Sequence, residues 1–158
     1  MSFDTERLAA ISEVRSYIGT PWMHQGRIKG VGVDCIGLTI IMARAAGAVP
    51  ESEIAMLPSN YGLIPVQRNP LLRRTIEQHM VHVDRSEVLV GDILLGAWRN
   101  YPTHLLIVSN KVKNTLSAAP PFNVIHAQND PWASRVVEEA FEWPAWRITS
   151  AYRFKIWL

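Results

Sequence analysis

The sequence predicts an α+β fold, with N-terminal helices packed on a roughly five-stranded antiparallel sheet. Two observations carry this. Apolar residues recur at helical spacing as far as Gly47, whereas after Gly91-Asp92 the chain breaks into short β-branched and aromatic runs separated by turn signals. Helices first and strands later is the order of a segregated α+β domain. At 158 residues, 48% apolar and 19% charged, the chain has the size and composition to bury one core without staples, and it reads as a single domain over 1–158.

The first helix has Ser2 or Asp4 as candidate cap. Leu8, Ile11, Val14 and Ile18 form its apolar stripe, and Gly19 ends it before Thr20-Pro21. Residues 20–33 read as a loop with glycines at 26, 30 and 32. A second helix is expected from Cys35, capped by Asp34 and stopped by Gly47, with Ile36, Ile40, Ile41 and Ala45 on its buried side. The stretch 48–70 holds four prolines and reads as irregular. Asn69-Pro70 is a cap followed by a first-turn proline, and opens a third helix over 71–80. Expected strands are 92–98, 103–109, 123–128, 135–140 and 150–157.

Composition excludes several classes. A net charge of +2 without a concentrated basic patch gives no case for nucleic acid. No apolar run reaches the length of a membrane span, and residues 1–19 lack the apolar core of a signal peptide. One cysteine permits no intrachain disulfide. His79 and His82 have a spacing that a metal tolerates on a helix, but no third ligand is evident, so neither metal nor organic cofactor is expected.

The lone cysteine stands where a helix begins. There the partial positive charge and unpaired N–H groups favour thiolate, and the same N–H groups can receive an oxyanion. A nucleophilic thiol also needs an imidazole to accept and return its proton. His104 and His126 are the candidates, each within an expected strand. If those strands are neighbours, one histidine can meet the thiol while the other orients the first.

Three blocks in order resemble the NlpC family of cell-wall cysteine peptidases. The first is Gly19-Thr20-Pro21-Trp22, a glycine-rich loop, then Asp34-Cys35-Ile36-Gly37-Leu38. The second is Gly91-Asp92 followed by Thr103-His104-Leu105-Leu106-Ile107-Val108, and the third is Ile125-His126-Ala127. His24-Gln25, Lys29-Gly30-Val31-Gly32, and a tail from Arg135-Val136-Val137-Glu138 through Trp146 to Tyr152-Arg153-Phe154 resemble the phage-type branch. The likeness spans about 140 residues.

The resemblance implies a papain-like core and hydrolysis of peptidoglycan stem peptides, usually after γ-D-glutamate. It makes Cys35 the nucleophile, His104 the base and His126 the orienter, and puts Trp22, His24 and Asp34 beside the substrate. Asp34, adjacent to the nucleophile, is a helix cap before it is a triad member. The resemblance also implies a virion-tail location, with tail tip or hub proteins as partners and synthesis in the cytoplasm. The alternative is a tail assembly protein that keeps the fold with little or no activity.

Three departures from the family pattern bear on this. Trp22 replaces a tyrosine hydroxyl with an N–H that donates only. Leu106 puts a bulky side chain where the family often has glycine. The segment 110–123 is longer than the usual hairpin and is expected to project as a surface loop. Plainer roles are expected elsewhere: packing for Trp98, Trp132, Trp143 and Trp146, and a solvated face for Lys111 and Lys113.

Overall fold

The computed structural model describes residues 3–57, 69–98, 101–111, 122–141 and 147–158. Helix α1 is Phe3–Arg15, and a two-residue ribbon of β1 (Arg27–Ile28) and β2 (Gly32–Val33) precedes α2 (Cys35–Ala45). Then come α3 (Glu51–Met56), α4 (Pro70–His79), β3 (Met80–Val83), β4 (Ile93–Trp98), β5 (Tyr101–Lys111), β6 (Phe122–Asn129), β7 (Ser134–Ala140) and β8 (Arg147–Phe154). The main sheet has six antiparallel strands in the order β3-β8-β4-β5-β6-β7. The α+β class holds. The sixth strand, β3, follows α4 without a glycine, proline or asparagine to mark the change, which is why the pattern missed it. Helix α3 was expected to be irregular chain; its six residues behind Pro50 are too few to show a period.

The stripe that α1 buries is Arg7, Ala10, Ile11 and Val14, and Leu8 and Ile18 face solvent instead. Asp4 lies inside the helix rather than before it. Arg7 is buried because its guanidinium lies over the Trp157 ring and donates to the Trp157 carbonyl at 2.8 Å. The central helix α2 is buried almost all round, from Ile36 to Ala43, whereas Ala45 is exposed. Gly37 is required in its first turn. A Cβ there would stand 2.2 Å from the carbonyl oxygen of Gly26, so only glycine lets the loop close on the helix. Helix α4 begins as expected, with the Asn69 side chain accepting from the N–H groups of Leu71 and Leu72.

The sheet is apolar on both faces. Leu105, Ile107 and Ile125 pack with α1 and α2, while Leu94, Leu106, Val108 and Val124 join a second cluster with Phe122, Phe141 and Ile148. Leu106, the bulky residue at the family's frequent glycine position, is 1% exposed within that second cluster. Strand β7 ends the sheet order, but its outer side is not bare. Gly19 donates to the Val136 carbonyl at 3.0 Å, Val136 donates to that of Thr20 at 2.9 Å, and Trp22 to that of Ser134 at 2.9 Å. The loop before α2 is thereby stitched to the sheet that carries the histidines.

Two sequence motifs meet in a buried ion pair. Asp92 is fully buried and receives two bonds from the Arg153 guanidinium, at 2.9 and 2.8 Å, and one from the Leu89 N–H at 2.8 Å. Removing one partner of such a pair costs about 3–5 kcal/mol, because a buried charge is left unmatched. Trp132, expected to pack, is 95% exposed on the β6–β7 turn. Trp143, Trp146 and the side chain of Trp98 lie outside the described residues, as does most of the 110–123 segment. Among the described residues no helix is long and apolar enough to cross a membrane.

Candidate active site

Asp34 fixes where α2 starts. Its backbone is extended, and its carboxylate accepts from Gly37 N at 2.7 Å and from Gln25 N at 2.6 Å. The first bond caps the helix, a contribution of about 1 kcal/mol. The second holds Gln25 at φ 62°, an uncommon angle for a residue with a side chain, and so fixes the path of the loop. Asp34 is the helix cap that was expected, buried and with both oxygens bonded to backbone. His24 lies 3.8 Å from the same carboxylate and stacks on Trp22 with ring planes 20° apart. Trp22 bridges to Val33 and, partly buried, packs on the core cluster that Cys35 also borders. The loop thus carries Trp22 and His24 alongside the residues that lead into Cys35.

The Cys35 thiol lies among backbone N–H groups: those of Leu105, Ile36 and Cys35 itself all favour its charged form. Burial outweighs them, and the Asp34 carboxylate adds to it, so the thiol is pushed up to about 11. The expectation of a resting thiolate is therefore corrected. Helix-start N–H groups are present, but desolvating the charge costs more than they return. The Leu105 contact matters for placement, because Leu105 follows His104. The sulfur therefore lies against the strand that carries the first histidine.

His104 and His126 stand on the neighbouring antiparallel strands β5 and β6. Their rings meet nearly at right angles, with His104 Nε2 2.8 Å from His126 Nδ1. Burial, and then the neighbouring His126 imidazole, hold His104 down to about 3, so it rests neutral. The ladder slips on both sides of Gly96, which pairs with His104, and bulges of this kind re-aim side chains beside active sites. His126 is 2% exposed, and its other nitrogen, Nε2, lies 2.8 Å from Glu139 Oε1. Glu139 pairs with Val124, which puts it diagonal to His126 on the same face. Sequence reasoning passed over Glu139. The signal was present in two adjacent glutamates on a strand, which must face opposite ways. Glu138 turns to α1 and binds Arg15 through two bonds of 2.8 Å.

The other histidines stand apart. His79 contacts Glu53 at 2.6 Å and His82 sits edge-on to Tyr152. Among the described residues no group of three or more acidic, histidine or cysteine side chains could hold a metal ion.

Fold and site together define a class: an α+β domain with a cysteine opening its central helix and two bonded histidines on adjacent strands. Among solved structures, the chain is similar to the NlpC/p60 domain of the peptidoglycan hydrolase SagA. Identity is 20%, the TM-score is 0.55, and the match covers 93% of this chain and 97% of that one. This chain therefore has the NlpC/p60 fold. No protein-family model matches the chain, and no curated protein does.

Proposed function

We propose that this protein is a cysteine peptidase that hydrolyses peptidoglycan stem peptides, with Cys35 as nucleophile, His104 as base and His126 as the group that orients the base. The observation that carries the reading is the 2.8 Å imidazole–imidazole bond on the strand that lies against the Cys35 sulfur. Its presence on a fold shared with a domain of a peptidoglycan hydrolase supplies the substrate class.

Both reacting groups rest neutral, so the thiol would be activated as it attacks. As sulfur bonds to the carbonyl carbon, its proton passes to His104. The carbonyl oxygen becomes an oxyanion that the Cys35 N–H can receive. Collapse breaks the C–N bond, and His104 returns the proton to the leaving amine. Water then attacks the thioester, giving its proton to His104. The product leaves as a carboxylic acid that loses its remaining proton to solvent, and the thiolate takes back the proton held by His104. Cleavage after γ-D-glutamate and delivery by a phage tail belong to the same reading; they rest on the motif resemblance, including His24-Gln25 and the Tyr152-Arg153-Phe154 tail.

The elevated thiol pKa favours one second reading, a tail assembly protein that keeps the fold without turnover. Mass spectrometry of muropeptides incubated with the parent and with Cys35→Ala separates the two. The enzyme reading expects new termini after γ-D-glutamate with the parent only. Intact muropeptides with both proteins, or equal cleavage by both, would overturn it.

A further inference from the structure

We infer that Glu139 is a positioning residue that, through His126, sets the tautomer of both histidines and leaves Nδ1 of His104 as the basic nitrogen. The inference rests on the proposed roles of Cys35 and His104, and it adds a group that neither the motifs nor the fold likeness supplied.

The argument is a proton count along one chain of contacts. A carboxylate can only accept, so the proton between Glu139 Oε1 and His126 Nε2, 2.8 Å apart, belongs to the imidazole. A neutral imidazole carries one N–H, so His126 Nδ1 must accept. The proton in the 2.8 Å contact between the rings then sits on His104 Nε2. His104 Nδ1 is left with a lone pair, the state a general base needs. Without the carboxylate the opposite arrangement is no longer excluded by it. His126 Nδ1–H would donate to His104 Nε2, and His104 would carry its proton on Nδ1, where it could not accept one from a thiol. The acid selects the first arrangement.

Position makes Glu139 suited to this. Its side chain is 48% exposed on β7, so it remains solvated, while His126 is almost wholly buried between it and His104. Its neighbour Glu138 faces the other way, onto Arg15, and serves as an internal control.

The test compares Glu139→Leu, Glu139→Gln and Glu138→Gln in the full chain. Steady-state kinetics on soluble muropeptides are read together with ¹⁵N shifts of the imidazole nitrogens at neutral pH. In the parent, both rings should carry the proton on Nε2. Glu139→Leu should mix the tautomers and lower kcat about ten- to a hundredfold, the span expected for one charge-assisted hydrogen bond, with KM little changed. Glu139→Gln, whose amide oxygen still accepts, should keep the tautomers and cost only a few-fold. Glu138→Gln should leave both readouts as in the parent. A proton on Nδ1 of either ring in the parent overturns the inference, as do unchanged tautomers and kcat in Glu139→Leu. If the parent cuts no muropeptide, the proposed function fails, and the ¹⁵N shifts still decide the role of Glu139.

Discussion

Among the described residues, two histidine–glutamate pairs of nearly the same length do different work. His79 and Glu53 meet at 2.6 Å and tie the end of α4 to α3. His126 and Glu139 meet at 2.8 Å and tie β6 to β7. Taken as pairs they are interchangeable. They differ in what surrounds the imidazole. His79 borders an apolar pocket lined by Ile54, Leu57, Leu72 and Ile76, so its bond holds helices around a cavity. His126 passes its bond on, through its second ring nitrogen, to another imidazole, on the strand whose Leu105 N–H meets the Cys35 thiol. A histidine with a carboxylate partner is therefore weak evidence of a site. The destination of its second nitrogen carries the information.

The largest expected effect tests the inner end of the proposed catalytic pair. His104→Ala should lower kcat about 10²–10⁴-fold, the usual contribution of a general base. His126→Ala should cost less, because in the proposed mechanism it orients the base without taking the thiol proton. Rates on soluble muropeptides, compared at matched folded fraction, check this. A larger loss in His126→Ala would reverse the two roles.

The next effect is on stability against pH. Burial holds His104 down to about 3, far below an unfolded histidine. As pH falls from the unfolded value near 6.5 through about 3, the unfolded chain binds the proton first. Stability is lost across that window, by on the order of several kcal/mol. Burial pushes Cys35 the other way, up to about 11, so stability should also fall as pH rises from about 9 through that value. Chemical denaturation as a function of pH should show both slopes, with His104→Gln flattening the acid one and Cys35→Ser the alkaline one. An unchanged acid slope in His104→Gln would mean that another group is responsible.

The smallest effect sharpens the contrast from the other pair. Glu53→Gln should leave kcat unchanged and shift stability by roughly 1 kcal/mol or less, since Glu53 is substantially exposed. Thermal unfolding and the muropeptide assay on one preparation suffice. A drop in kcat there would connect the α3–α4 pair to catalysis and remove the distinction.

Features that depend on near neighbours were legible in the sequence. Asp34 caps α2 three residues on, Asn69 caps α4, and the order of helices then strands predicted the class. The spacing of His104 and His126 on two expected strands was enough to propose that they meet. Local pattern also misled where it had little to count: α3 and β3 are short, and Leu8, Ile18 and Ala45 keep the apolar period but miss the core.

The rest depends on sheet register and burial, which local pattern does not carry. Asp92 and Arg153, 61 residues apart, become one ion pair only when the β4–β8 ladder sets them side by side. Glu139 reaches His126, and Glu138 does not, because a strand alternates faces and the β6–β7 register selects one of them. The state of the thiol likewise follows from burial. The helix start that favours a thiolate can be read locally, but the desolvation that overrides it exists only once α2 and β5 close around the sulfur.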